Sequence, residues 1–143
     1  MEKSGKKGCE NMKKQGILNS DISRILSYMG HTDRIAVADC GLPCPEDVER
    51  IDLALAFGEP GFLHTLEIML QDMKVEKIVL AEEIKTANPA VLRKIYELLP
   101  DVETEFVPHT EFKAQTHGCK AVIRTGECTP YANIILQSDC IFA

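Results

Sequence analysis

The apolar residues of this chain are spaced in two ways, one typical of helices and one typical of strands. The first helix is predicted by apolar residues three and four positions apart: Ile22, Ile25, Leu26 and Met29. Asn19 or Ser20 can cap its first N–H groups, and Gly30 fits the position just after its end. The helix therefore delivers His31 into the loop that follows.

The rest of the chain alternates between the two patterns. Short apolar runs predict strands at 34–39, 51–57, 77–81, 102–107, 120–124 and 133–137. Prolines and periodic apolar stretches predict helices at 60–73, 89–99 and 109–117. Strands alternating with helices are typical of an α/β protein. We expect a three-layer α/β/α domain with a central largely parallel or mixed sheet.

The length of the chain favours one domain. Its 143 residues, 45% of them hydrophobic, suffice for a single core. Residues 1–11 are polar and without hydrophobic period, so we expect a disordered extension outside the fold. Residues 12–143 should form the single domain.

Charge and composition exclude several classes of function. The chain has 16 basic and 22 acidic residues, a net charge of −6, which argues against a nucleic-acid partner. It contains no apolar run near the roughly 20 residues that cross a membrane, and no apolar signal segment follows its N-terminus, so we expect no membrane insertion and a cytoplasmic location.

The six cysteines lack C-x-x-C spacing and are expected to be free thiols. The usual motifs of nucleotide-binding proteins, triad hydrolases and zinc proteases are also missing.

Polar residues at the ends of predicted elements are the candidates for chemistry, because loops there carry most sites in α/β proteins. His31 is a candidate general acid, because an imidazole can exchange a proton near neutral pH, and Asp33 is placed to orient it. Asp39 ends a buried strand, where a carboxylate needs a partner or a ligand. The turn from 124 to 133 carries the hydroxyl of Tyr131 and the carboxamide of Asn133, which suit sugar binding.

Each candidate also has a structural interpretation. His31 could simply neutralise the helix dipole, and Asp39 could cap its own loop through an Asx-type hydrogen bond. His109 could form a surface pair with Lys113, one helical turn on. The turn from 124 to 133 could serve only to fix two strands. The acidic pair Glu82 and Glu83, with Lys85, is expected to be a solvated helix start.

Six ordered blocks of sequence, spread from residue 12 to the C-terminus, resemble the D-ribose pyranases. The blocks are 18–23 with 30–33, 39–43, 50–54, 81–85, 109–113 and 124–135. Cys40 and Cys44 depart from the family pattern, where alanine and an aliphatic residue are usual. Both are small enough to keep the loop.

The resemblance implies a cytoplasmic isomerase, without cofactor or metal, that interconverts the β-pyranose and β-furanose forms of D-ribose. It implies a ring-built homo-oligomer, commonly a decamer, with sites near subunit contacts. The family's proton donor falls on His31. Its substrate contacts fall on Asp39, His109, Tyr131, Ala132 and Asn133.

We therefore expect His31, oriented by Asp33, to protonate the endocyclic oxygen of the sugar. The other residues would hold the remaining hydroxyl groups. Two alternatives stay open: an anomer interconversion of the fucose mutarotase type, and a sugar-binding accessory protein without catalysis.

Overall fold

The structure, a computed structural model, describes residues 12–142. The expected extension over residues 1–11 lies outside this range. Six strands are present: β1 (Arg34–Ala38), β2 (Glu49–Asp52), β3 (Val75–Ala81), β4 (Glu103–Val107), β5 (Ala121–Arg124) and β6 (Ile134–Ser138). The helices are α1 (Ser20–Tyr28), α2 (Phe62–Asp72), α3 (Ile84–Ala87), α4 (Pro89–Leu98) and α5 (His109–Gln115), followed by a 3-10 turn (Thr116–Gly118).

The six strands form one mixed sheet in the order β2-β5-β1-β6-β3-β4. β6 is antiparallel to both of its neighbours, β1 and β3, and the other pairings are parallel. Strands β1 to β5 therefore end along one edge, where β6 begins; we call this the carboxyl edge. They begin along the opposite edge, where β6 ends, which we call the amino edge.

Alternating residues of β1 show how the sheet separates two cores. Ile35 and Val37 belong to the larger cluster, which includes the apolar faces of α1, α2 and α4. Ala36 and Ala38 belong to the smaller cluster on the other face, which includes Phe112 of α5. A buried Leu, Ile or Phe side chain contributes roughly 1.5–3 kcal/mol, so the larger cluster dominates stability. The expected three-layer α/β domain with a mixed sheet is confirmed.

Helix α1 forms where its spacing predicts. The side chain of Asn19 accepts a hydrogen bond from the N–H of Ile22 at 2.9 Å, which caps the first turn. The chain then leaves the helix, and Thr32, with φ of 74°, takes the left-handed conformation. Its N–H donates to the carbonyl of Ser138 at 2.9 Å. This bond ties the residues after α1 to the amino edge.

The strand predicted over 51–57 is wrong in its second half. β2 ends at Asp52, whose carboxylate accepts from the N–H of Ala54 at 3.0 Å and turns the chain. Leu55 and Phe57 are then 84% and 88% exposed, although their alternation resembles that of a buried strand. The next helix begins at Phe62, two residues after the predicted start.

The structure also bears on the cysteines and on membrane insertion. The cysteines within the described range are free thiols: Cys40, Cys44, Cys119, Cys128 and Cys140. Among residues 12–142, no helix combines the length and apolar character needed to span a membrane.

Candidate functional site

A cleft of about 290 Å³ opens at the carboxyl edge. It is lined by Asp39, Gly41, Leu42, His109, Pro130 and Tyr131. Its volume is near the lower end of the range for small-molecule sites, which suits a ligand of monosaccharide size. Three of the sequence-predicted residues therefore line one cleft, although they are far apart along the chain.

Asp39 is held on the cleft wall by Asn133. The side-chain oxygen of Asn133 accepts from the N–H of Asp39 at 2.8 Å, and its amide nitrogen donates to the Asp39 carboxylate at 3.1 Å. Asn133 is fully buried, so these bonds are shielded from water. The other oxygen of Asp39 accepts from the N–H of Gly41 at 3.0 Å, which confirms the Asx-type interpretation.

Asp39 nevertheless keeps capacity for a ligand. An ionised carboxylate can accept about four hydrogen bonds, and the amide of Asn133 and the N–H of Gly41 use two. The loop cap and the substrate contact are therefore compatible roles of one side chain.

His109 and Tyr131 contribute two rings to the lining of the cleft. Their rings meet edge to face with centroids 5.0 Å apart. Tyr131 has φ of 58°, an uncommon conformation for a bulky residue, which fits a site more than a plain turn. Nδ1 of His109 is buried and has no hydrogen-bond partner among residues 12–142. Leaving such a group unpaired costs roughly 1–3 kcal/mol, so this atom is a candidate ligand contact.

Glu83 positions His109 and was missed from the sequence. Its carboxylate accepts from the N–H of His109 at 3.0 and 3.3 Å, at the start of α5. The expectation that Glu83 only begins a solvated helix is therefore incomplete. A signal was present, because Glu83 follows β3 and His109 follows β4, and parallel neighbouring strands end side by side.

The loop that carries Tyr131 is fixed at both ends. Near its start, the hydroxyl of Thr125 donates to the carbonyl of Ala38 at 2.7 Å. Further on, the side-chain amide of Asn88 donates to the carbonyl of Pro130 at 2.9 Å. Asn88 stands at the start of α4, but its side chain makes no cap bond there and holds this loop instead.

Glu127 holds the middle of the same loop. Its carboxylate accepts from the N–H of Phe62 at 3.0 Å and from the hydroxyl of Thr129 at 2.6 Å. Burial acts to raise the pKa of Glu127, but the hydrogen bonds from Thr129 and Phe62 outweigh it and lower the pKa overall. Glu127 is therefore ionised at neutral pH, and its charge anchors the loop.

Ala132 is also fully buried, with its side chain in the larger core cluster. The methyl group therefore supports the turn from the core side. A ligand contact at this position has to come from the main chain.

His31 lies at the amino edge, away from the cleft. Its side chain is 50% exposed, and Nε2 lies 2.8 Å from a carboxylate oxygen of Glu76. The prediction that Asp33 orients His31 is wrong. The Asp33 carboxylate accepts from the N–H of Gly30 at 2.9 Å and closes the end of α1.

The full length of β1 separates His31 from Asp39. Five residues of strand span roughly 16 Å, so the imidazole of His31 and the cleft of the same chain do not meet. The structure brings Asp39, His109, Tyr131, Ala132 and Asn133 together and leaves His31 apart.

The surroundings of His31 include groups of metal-ligand type. Ligand atoms of His31, Glu76 and Asp139 lie within 4.8 Å of one another. Exposed acidic clusters of this kind are common without an ion, and the arrangement serves equally well as a hydrogen-bonded carboxylate–imidazole pair.

Relatives of known type match nearly the whole described chain. Residues 12–141 match the model of the RbsD / FucU transport protein family. The D-ribose pyranase of Bacillus cytotoxicus is 53% identical over 131 residues, covering 92% of this chain and 100% of that protein. The D-ribose pyranase of Geobacillus thermodenitrificans is 55% identical over 132 residues, with the same coverage.

Solved structures match the fold. Bacillus subtilis RbsD complexed with D-ribose has a TM-score of 0.89 at 49% identity, covering 92% of this chain and 100% of that chain. The fucose mutarotase in complex with L-fucose from Streptococcus pneumoniae has a TM-score of 0.75 at 20% identity, covering 86% of this chain and 94% of that chain. At that identity the second likeness shows the fold alone.

Proposed function

This chain belongs to the RbsD / FucU transport protein family, and from that premise we propose that it is an isomerase interconverting the β-pyranose and β-furanose forms of D-ribose. Relatives named D-ribose pyranase, about half identical over their full length, support the substrate. The RbsD complexed with D-ribose supports it independently.

The observation that carries the proposal is the polar content of the carboxyl-edge cleft. Asp39 offers acceptors, Nδ1 of His109 is buried and unpaired within residues 12–142, and the ring of Tyr131 forms a wall beside it. A pentose presents several hydroxyl groups that both donate and accept, together with apolar C–H faces. These complement the carboxylate, the imidazole and the aromatic ring. Asn133 supports Asp39, and the main chain at Ala132 supplies a further polar contact.

Ring exchange needs two proton movements and no redox step. The anomeric hydroxyl loses a proton while the endocyclic oxygen gains one, which opens the sugar to the aldehyde. A different hydroxyl then adds to the carbonyl and closes the other ring. His31 is the proposed proton donor to the endocyclic oxygen, and general acid–base catalysis contributes roughly 10²–10⁴-fold. The reaction as proposed requires no cofactor and no metal.

The separation of His31 from the cleft makes a second copy of the chain part of the proposal. We propose a ring-built homo-oligomer, a decamer as the resemblance implies, in which His31 of one subunit covers the cleft of a neighbour. Half exposure of His31 supports this, because the imidazole is accessible to another subunit. The proposed location is the cytoplasm.

The first experiment is NMR exchange spectroscopy of D-ribose with catalytic amounts of the protein. We expect accelerated exchange between pyranose and furanose signals. The same measurement with L-fucose distinguishes a ribose pyranase from a fucose mutarotase. The mutarotase alternative predicts faster exchange between the anomers of fucose. Binding of ribose without any acceleration would contradict the enzyme and favour an accessory sugar-binding protein.

Mixed oligomers test the shared site. His31→Ala and His109→Ala chains are unfolded together in equal amounts and refolded. Each variant alone is expected to show little exchange, the first through its rate and the second through its weaker ribose binding. If each site takes His31 from one subunit and the cleft from another, random mixing leaves about one quarter of sites intact. One variant is labelled with ¹⁵N, because the two substitutions change the mass of the chain equally. Activity that stays at the level of the separate variants would contradict a shared site, provided that native mass spectrometry shows assemblies containing both labelled and unlabelled chains.

A further inference from the structure

Glu76 is the carboxylate partner of His31 at the amino edge, and neither the motifs nor the resemblance assigned it a role. We propose that Glu76 is a positioning residue that fixes the tautomer of His31, so that Nδ1 is the ring nitrogen that exchanges the proton with the sugar. The proposal rests on the proposed function, because it concerns the atom through which His31 acts.

Arg34 fixes the first hydrogen bond of this network, because its guanidinium can only donate. Nε of Arg34 lies 2.9 Å from Oε1 of Gln137, which must therefore be the acceptor end of the carboxamide. The amide nitrogen of Gln137 then faces Glu76 and donates to its Oε2 at 2.6 Å. A second Arg34 nitrogen, Nη1, donates to Gln115 of α5 at 3.0 Å, which steadies the guanidinium. The orientation of Gln137 is thus determined by its partners.

Glu76 consequently acts as an acceptor at both oxygens. The hydrogen bond from Gln137 and, next, that from His31 lower the pKa of Glu76, so it is ionised at neutral pH. An ionised carboxylate has no proton to give. Its Oε1, 2.8 Å from Nε2 of His31, therefore accepts a hydrogen bond, and Nε2 carries the proton that donates it.

The tautomer of His31 follows from this chain of donors. With the proton of the neutral ring on Nε2, the lone pair lies on Nδ1, and the imidazolium form carries its transferable proton there. The other nearby carboxylate does not compete, because Asp139 is 3.9 Å from Nε2 and accepts from the N–H of Cys140 at 2.7 Å. Lys74, which pairs with Asp139 at 3.8 Å, adds a basic group beside this carboxylate.

Glu76→Gln provides a test with a defined direction. Gln137 still donates, so the carbonyl of the new glutamine faces Gln137 and its amide nitrogen faces His31. Nε2 must then accept, which moves the proton of the neutral ring to Nδ1. We expect histidine ¹⁵N NMR of the whole protein to show this reversal. We also expect kcat for ribose exchange to fall roughly 10- to 100-fold, part of the general acid–base contribution, with KM within about twofold.

Asp139→Asn is the matched control. It changes the other carboxylate near His31 by the same isosteric substitution and keeps the oxygen that accepts from Cys140. We expect the tautomer of His31 to be unchanged and kcat to stay within about twofold. Glu76→Asp, a shorter carboxylate, should keep the Nε2–H tautomer and recover most of the kcat lost in Glu76→Gln.

The outcomes separate this inference from the proposed function. An unchanged tautomer in Glu76→Gln overturns the role of Glu76, whatever the wild type does with ribose. A reversed tautomer with unchanged kcat overturns Nδ1 as the reacting atom. Wild-type protein that fails to accelerate ribose exchange overturns the proposed function, while the NMR result for the tautomer still stands.

Discussion

The two edges of the sheet hold their functional side chains in different ways. At the carboxyl edge, Asp39 and Asn133 are locked by bonds that include a buried carboxamide and a main-chain N–H. At the amino edge, His31 is half exposed and held by side chains alone, through Glu76 and Gln137. Buried bonds hold the side chains at one edge, and the imidazole at the other edge is accessible.

In the proposed function, this difference separates binding from proton transfer. A cleft that recognises a sugar needs acceptors and donors at fixed positions, which buried bonds provide. A proton donor that acts on a neighbouring subunit has to remain accessible. Substitutions at the carboxyl edge should therefore change sugar affinity, and those at the amino edge should change the rate.

The largest effect is expected for His31→Ala. Ribose affinity should stay within about threefold, while the acceleration of ring exchange falls by the roughly 10²–10⁴-fold contributed by an acid–base group. Exchange spectroscopy gives the rate, and titration calorimetry gives the affinity. The melting temperature serves as the control for folding. Wild-type exchange in this variant would remove His31 from the mechanism.

A large effect on affinity is expected for Asn133→Ala. The substitution leaves the N–H of Asp39 without its acceptor and releases the carboxylate, which should lower the free energy of unfolding by about 1–3 kcal/mol. Ribose affinity should fall at least about tenfold, because the Asp39 acceptors are no longer fixed. Denaturant unfolding and calorimetry measure both.

Ser138→Ala is the control at the other end of the same strand. Its hydroxyl makes one long bond of 3.4 Å, to the carbonyl of Asp139. We expect little change in affinity. If Asn133→Ala and Ser138→Ala lost ribose affinity equally, the effect would belong to β6 as a whole. The two edges would then not differ in their contribution to sugar binding.

The sequence predicted the carboxyl edge better than the amino edge. Asp39 and His109 each follow a strand, and strands in βα units run parallel, so their ends collect at one edge. The helix before His31 was also predictable, from its spacing and from the cap at Asn19. The partner of His31 was not, because Glu76 meets it only through the antiparallel placement of β6 beside β3, which no local pattern specifies.

Predictions from local sequence patterns also failed where a side chain bonded to the nearby main chain. Leu53, Leu55 and Phe57 alternate as in a strand, yet the Asp52 side chain turns the chain first. The proximity of Asp33 to His31 in the sequence suggested that the two side chains pair. The Asp33 carboxylate instead accepts a hydrogen bond from the N–H of Gly30, just after α1. In both places the side chain of an aspartate accepts a hydrogen bond from a nearby main-chain N–H. The spacing of apolar residues carries no information about such bonds.

A moderate effect of pH is expected at the carboxyl edge. The folded pKa of Glu127 is lowered, so its stabilising effect is complete above the ordinary carboxyl value of 4.5 and is lost as the pH falls through the folded pKa. Wild-type protein should therefore lose more thermal stability below pH 4.5 than Glu127→Gln does. Melting curves at a series of acid pH values measure this. Parallel curves for the two proteins would contradict an ionised Glu127 in the loop.

The smallest effect is expected from a chelator at the amino edge. His31, Glu76 and Asp139 are metal-ligand types, but Nε2 of His31 is 2.8 Å from Glu76, the distance of a hydrogen bond between the two groups. We expect ribose exchange to be unchanged after dialysis against EDTA, and unchanged again when Zn²⁺, Mn²⁺ or Mg²⁺ is returned. If chelation abolished exchange and one ion restored it, Asp139→Asn should weaken the binding of that ion. His31 would then be a metal ligand, and this result would contradict its role as the proton donor.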